Sequence, residues 1–215
     1  MMQDIKRLKN LKNGPQLRIF KVNYIGYIEK TGKRKPTFEV MVKFLDDVRK
    51  YREVTIVETG CCRQEDNFEG DGMSTMIFDS YVNEHGGHFY SVDISQENID
   101  FAKSKCISSN TQNICSDSIP FLFGFNNKNT GIDLLYLDSY DFDMANPHPS
   151  SLHHIFELTA IMPSLRIGSL IVVDDNFNPG NPGETGVGKG GYIKQFMEHL
   201  GKPIAVAGYQ WIWQL

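Results

Sequence analysis

Ile171-Val172-Val173-Asp174-Asp175-Asn176 is the stretch whose reading decides the fold, and Asp133-Leu134-Leu135-Tyr136-Leu137-Asp138 repeats its form. Each is an apolar run of strand length that ends in carboxylates. A buried strand delivers its last side chains to the edge of a sheet, where ligands of open α/β folds bind. Three carboxylates gathered there (Asp138, Asp174 and Asp175) repel one another unless a cation or a proton intervenes. Hard oxygen ligands in that number suit Mg²⁺, Mn²⁺ or Ca²⁺. The three are therefore expected to hold a divalent ion.

Working outward, the pattern alternates between strands and helices. Residues 54–57 read as a strand, 74–82 as a helix, and 88–94 as a strand that ends at Asp93. A helix over 96–105 and a short strand over 113–115 follow. After the strand at 133–137 come a helix over about 150–165 and the strand 169–173. Tyr192, Ile193, Phe196, Met197 and Leu200 fall at helical spacing. Two final strands, 203–209 and 210–215, are expected as an antiparallel edge. Such alternation predicts an α/β fold: a doubly wound, Rossmann-like sheet, mostly parallel, with an antiparallel C-terminal strand. Upstream, Phe38, Met41, Phe44, Leu45 and Val48 predict an amphipathic helix with Pro36 before it and Thr37 as its N-cap. Residues 17–28 alternate in a partly strand-like way. The expected division is an N-terminal extension, 1–51, and a main domain, 52–215. The basic residues of 1–36 are read as a solvated face, with a flap or partner-binding arm as the functional alternative.

Bulk composition narrows the classes. With 215 residues the chain can bury a real core, and 40% hydrophobic with 22% charged residues is globular rather than disordered. A net charge of -4 gives no electrostatic case for nucleic acid. No apolar run approaches a membrane span, and the polar N-terminus lacks the core of a signal peptide, so no membrane and a cytoplasmic location are expected. Cys61, Cys62, Cys106 and Cys115 show no CxxC and no zinc-ligand spacing, so they read as small apolar residues in a reducing compartment.

Several motifs carry chemistry. The first strand runs into Glu58-Thr59-Gly60, and Gly70-Asp71-Gly72-Met73-Ser74-Thr75 precedes the next helix. Glycines there let backbone approach a ligand, and a helix N-terminus offers free N–H groups. The stretch 61–69 is longer than an ordinary strand-to-helix turn and is either a surface loop or a cover over a ligand. Asp93, at the tip of the second strand and about twenty residues past Gly72, suits a ribose diol. Asp117-Ser118 suits an adenine amino group or the cap of a following helix. Gly183-Glu184-Thr185-Gly186-Val187-Gly188-Lys189-Gly190 approaches a P-loop but lacks the Ser or Thr after Lys189 and the strand leading into it. It is read as a flexible loop at the rim of the site. His153 and His154, adjacent on a helix, point in different directions and so do not form a metal pair.

These residues together resemble the class I S-adenosylmethionine-dependent methyltransferases. The resemblance rests on Glu58-Thr59-Gly60, the helix start at Gly72-Met73-Ser74-Thr75, Val92-Asp93-Ile94-Ser95, Ser116-Asp117-Ser118, Leu137-Asp138-Ser139-Tyr140-Asp141 and residues 168–176. Within that class the chain looks like the metal-dependent O-methyltransferases, and Asp174-Asp175 is closer to those acting on sugars (rhamnose-containing glycans, macrolide sugars) than to catechol enzymes. The resemblance implies that Glu58, Gly60 and Ser74 lie along the methionine part of the cofactor. It places Asp93 at the ribose, Asp117 and Ser118 at the adenine, and Gly72, Ile94 and Asp138 among the further cofactor contacts. Mg²⁺ or Mn²⁺ would sit on Asp138, Asp174 and Asp175, with Tyr140 and Asn176 toward the substrate. The base is expected to be Asp141, with His153 and His154 in reserve. A bound ion would lower the pKa of a coordinated hydroxyl and chelate a diol, which implies a small-molecule or glycan hydroxyl acceptor. The N-terminal extension either completes the acceptor pocket or mediates a homodimer. Three rival expectations stand beside this one: a catechol-like acceptor, a nicotinamide-binding oxidoreductase, and a non-catalytic scaffold.

Overall fold

The structure, a computed structural model, describes residues 23–71, 73–128, 130–177 and 188–215. In chain order the elements are α1 (Tyr24–Ile28), α2 (Lys35–Val48), β1 (Thr55–Thr59), α3 (Ser74–His85), β2 (His88–Asp93), α4 (Gln96–Lys105) and β3 (Thr111–Cys115). Then follow α5 (Ser118–Phe125), β4 (Ile132–Leu137), α6 (His148–Ile161), β5 (Leu165–Val173), α7 (Gly191–His199), β6 (Val206–Ala207) and β7 (Trp211–Gln214). The seven strands form one sheet in the order β3-β2-β1-β4-β5-β7-β6. The first five are parallel, and β7 runs antiparallel between β5 and β6. The strand order reverses direction between β1 and β4, and open α/β sheets place ligands beyond the strand ends at such a point.

The unbroken apolar run of β4 follows from burial on both faces. Leu134 and Tyr136 pack with Phe38, Met41, Phe78 and Val172 on one side. Leu135 and Leu137 pack with Leu122, Leu158, Val173 and Ile193 on the other. Phe38, Met41 and Leu45 of α2 thus belong to the same core as the sheet. The region set apart as an N-terminal extension contributes one wall of the main domain from residue 24 onward.

Three local expectations are corrected. Residues 24–28 of the strand-like segment form α1, because the Asn23 side chain accepts a hydrogen bond from Gly26 N at 3.1 Å and caps a helix; the remainder, 17–22, lies outside the described residues. The amphipathic helix starts at Lys35 rather than Thr37, with Pro36 in its first turn, where the missing N–H costs nothing. Thr37 is buried within it. Of helix α5 only the cap at Asp117-Ser118 was anticipated, as an alternative, and not its extent. Its Asp117 accepts from Ile119 N at 3.0 Å, and Pro120 again sits in a first turn.

Candidate functional site

The C-terminal ends of β1, β2, β4 and β5 assemble the site. Gly60, just past β1, adopts φ +79, and a Cβ there would lie 2.5 Å from the Asp138 carbonyl oxygen. The close approach of the β1 and β4 ends therefore requires glycine at that position. Glu58 is fully buried and accepts from Ser74 Oγ at 2.5 Å, Ser91 Oγ at 2.6 Å and Thr75 Oγ1 at 2.8 Å. Burial pushes its carboxyl up to about 7 despite those donors. Glu58 thus ties β1 to β2 and to the start of α3. Gly72 lies outside the described residues.

A cavity of about 320 Å³ opens beside these tips, lined by Val92, Asp93, Ile94, Asp117, Ser118, Ser139, Tyr140 and His153. Asp93 accepts from Ser95 N at 2.7 Å, Asn98 Nδ2 at 3.2 Å and Cys61 N at 3.3 Å, which fixes its carboxylate in the lining of the cavity. The cofactor candidates from β2, β3 and the β4 loop are thereby brought round one space. On its far wall His153 Nε2 lies 3.1 Å from Ser118 Oγ and 3.3 Å from Glu157 Oε1. The hydrogen bond to Glu157 raises the His153 pKa. Burial pushes Glu157 up, but the hydrogen bond from His153 and the histidine charges hold it below its ordinary value. This carboxylate, which also accepts from Ser139 Oγ at 2.6 Å, escaped the sequence reading. Its only signal is that Glu157 stands at i, i+4 from His153 on a helix.

The reserve base His154 is corrected. It is buried, its Nδ1–H donates to Ser150 O at 2.7 Å, and burial drives its pKa down to about 4. A neutral ring walled in by protein presents no base to a substrate. Asp141 lies on the loop after β4 with an exposed side chain, held by Arg63 Nη1 at 3.1 Å. Tyr140 is half exposed at the cavity. Asn176, expected toward the substrate, is buried instead. Its Nδ2 donates to Val173 O at 2.8 Å and Asp174 O at 3.1 Å, and its Oδ1 accepts from Gly190 N at 2.8 Å. It closes the loop that leaves β5.

The three carboxylates expected to hold a divalent ion do come together, but around protein cations. Asp174 Oδ2 accepts from Arg34 Nε at 2.8 Å, Tyr136 Oη at 2.6 Å and Gln210 Nε2 at 3.3 Å, and its Oδ1 accepts from Asp175 N at 2.7 Å. Lys189 Nζ lies against Asp138 Oδ1 and 3.0 Å from Asp175 Oδ2. Asp175 Oδ1 meets the Tyr209 hydroxyl and, at 3.4 Å, Arg34 Nη2. Burial pushes the Lys189 ammonium down, but Asp138 and Asp175 outweigh it and hold the pKa above its ordinary value. Lys189 likewise overcomes burial to hold Asp175 low. A divalent ion needs oxygen lone pairs facing a common point. Here those directions carry N–H and O–H donors, and among the described residues no group of three His, Cys, Asp or Glu side chains could hold a metal ion. The donor set as arranged does not fit the ion. Arg34 lies 140 residues from Asp174 and Lys189 lies 51 from Asp138, and the sequence reading missed both pairings. Of the P-loop-like run, Gly188, Lys189 and Gly190 are described and 183–187 are not.

No helix among the described residues is long and apolar enough to cross a membrane. A family model described as a methyltransferase domain matches residues 69–176. Among solved structures, the MycE methyltransferase from the mycinamycin biosynthetic pathway, in complex with Mg, SAH and mycinamycin VI, is similar with a TM-score of 0.58 and 18% identity over 84% of this chain. A crystal form of MycE with Mg and SAH gives a TM-score of 0.51 and 18% identity over 80%. The chain spans 48% of MycE in both comparisons, and likeness at this identity speaks for the fold. No curated protein sequence matches the chain.

Proposed function

The chain belongs to the methyltransferase-domain family, within the class I S-adenosylmethionine-dependent methyltransferases, and from that premise we propose that it transfers the methyl group of S-adenosyl-L-methionine to a hydroxyl of a sugar or glycan. The observation that carries this reading is the cavity beyond the β2, β3 and β4 tips. Asp93 stands in its lining as an acceptor for a ribose diol, and Asp117 and Ser118 stand where an adenine would lie. Its volume suits a nucleoside-sized ligand. Gly60 and Ser74 are assigned to the methionine end. Residues 52–215 form the cofactor-binding domain, with 23–51 covering one face of its sheet.

Methyl transfer from a sulfonium is an in-line displacement, so alignment of the acceptor oxygen supplies much of the rate. Ser139 and Tyr140, on the β4 loop, line the cavity and are placed to orient the acceptor. Asp141 follows them with an exposed carboxylate and is assigned as the proton acceptor. His153 is engaged by Ser118 and Glu157 and is assigned to the cofactor wall. Asp141→Asn is expected to slow transfer by about 10²–10⁴-fold. Its exposed pairing with Arg63 makes the stability change no more than about 1 kcal/mol. A sugar acceptor is favoured by the likeness of Asp174-Asp175 to the sugar-acting enzymes, and the MycE structure of the same fold contains mycinamycin VI. Divalent-metal dependence is not carried into the mechanism, since Lys189 and Arg34 occupy the carboxylates.

One observation favours the catechol-like alternative. Phe142, Phe177 and Tyr209 form an aromatic row, with ring centroids 5.2 Å and 5.9 Å apart, suited to a flat acceptor. Calorimetric titration with S-adenosylhomocysteine against NAD tests the donor, and S-adenosylhomocysteine is expected to bind alone. Transfer of labelled methyl to a panel of glycans and catechols tests the acceptor. Binding of NAD in preference to S-adenosylhomocysteine would overturn the donor, and labelling of catechols alone would replace the sugar.

A further inference from the structure

Lys189 is the least expected occupant of the site. It follows Gly188 in a run that looks like a loop, yet the lysine is buried to 1% exposure. Its position is built into the backbone. Asn176 and Gly188 form an antiparallel bridge, Lys189 N donates to Asp175 O at 3.2 Å, and Ser151 Oγ donates to Gly188 O at 2.7 Å. A Cβ at Gly188 would lie 2.5 Å from Asp175 O, so the chain passes here only as glycine. Gly190 N is fixed by Asn176 Oδ1 at 2.8 Å on the other side. The segment that carries the ammonium is thus clamped on both flanks by Asp175 and Asn176, just past β5, and by Ser151 of α6.

The charges close on one another. Asp138, Asp174 and Asp175 face Arg34 and Lys189, with the Tyr136 and Gln210 side chains also donating to Asp174 Oδ2 and the Tyr209 hydroxyl to Asp175 Oδ1. Neutralising clustered carboxylates is the same task a bound ion performs. An ion entering between Asp138 and Asp175 would have to displace a clamped ammonium and leave that cation buried without a partner.

Resting on the methyltransferase reading, we infer that Lys189 is the resident cation of the Asp138–Asp175 pair and makes the site independent of divalent metal. Lys189 is a positioning residue. It holds together the tips of β4 and β5, from which the cavity-lining Ser139 and Tyr140 continue.

The test is a titration of the intact chain with Mn²⁺, followed by the electron paramagnetic resonance of the free ion, with S-adenosylhomocysteine binding measured in parallel. The wild-type chain is expected to show no saturable Mn²⁺ site tighter than about 1 mM. Lys189→Met, which empties the ammonium position, is expected to bind Mn²⁺ at least about tenfold more tightly than wild type. Lys189→Arg, which keeps the charge, is expected to behave as wild type. A tight wild-type Mn²⁺ site that Asp138→Asn removes would overturn the inference, as would a Lys189→Met variant that gains no affinity. If Lys189→Met does not fold, the wild-type, Asp138→Asn and Lys189→Arg titrations decide. Failure to bind S-adenosylhomocysteine would instead sink the donor assignment, which the manganese titration does not touch.

Discussion

Two ends of one sheet edge meet opposite fates. At the β2 tip, Asp93 lines a cavity, bonded to backbone and Asn98 donors and, among the described residues, to no cation. At the β4 and β5 tips, Asp174 is buried against Arg34, and the partly exposed Asp138 and Asp175 are packed against the buried Lys189. Both sets of carboxylates arise from the same topology. The first is left accessible for a ligand and the second is satisfied from within. A carboxylate at a strand tip is therefore not by itself a ligand site; the groups that later parts of the chain bring to it decide.

The contrast is sharpest in its energetics. Arg34→Met would leave Asp174 buried beside the other carboxylates, and it is expected to lower stability by about 3–5 kcal/mol in urea unfolding. A loss below about 1 kcal/mol would show that the closed end is not held by charge.

Next in size is a pair of opposed pH dependences at the elements flanking the two ends. Glu58 has a folded pKa of about 7 against an ordinary 4.5, so its contribution is present at low pH and is lost as pH rises through that window. His154 has a folded pKa of about 4 against an ordinary 6.5, so its contribution is present above 6.5 and is lost as pH falls toward 4. Between about 4.5 and 6.5 the two slopes oppose, each bounded by about 1.4 kcal/mol per pH unit. Relative to wild type, Glu58→Gln should gain stability as pH rises through this range, and His154→Gln should lose it. Melting temperatures across pH 4.5–6.5 check both signs, and parallel profiles for the two variants would refute the assignment.

The smallest effect probes the open end. Asp93→Ala removes a charged acceptor and is expected to weaken S-adenosylhomocysteine binding by about 10–100-fold in calorimetry. Its effect on unfolding should be well below that of Arg34→Met. Equal destabilisation by both substitutions would erase the distinction between an open and a closed end.

The legible part of the sequence was the part written in local periodicity. Strands β1, β2, β4 and β5 and helices α3, α4 and α6 stand close to where apolar runs and spacing put them, because burial on two faces imposes its pattern residue by residue. Helix α5 was obscured by Pro120 and Gly124 in an otherwise apolar run. Helix α1 is too short for a periodic signal and depends on its Asn23 cap. In the site, Asp93, Ile94, Asp117 and Ser118 could be proposed from their places after β2 and β3, and the structure sets them round one cavity. Asn176 and His154 were misplaced because their burial depends on the return of Gly190 and on the packing of α6.

By itself the sequence determined the alternation of strands and helices around the sheet except for α1 and α5, the parallel sheet with its antiparallel edge, and the delivery of carboxylates to the strand tips. It could do so because those features follow from neighbours in the chain. Only the tertiary structure decided what neutralises Asp138, Asp174 and Asp175. Arg34 reaches Asp174, and Lys189 reaches Asp138, across long stretches of chain, and electrostatic pairing acts through space, where sequence spacing gives no measure of distance.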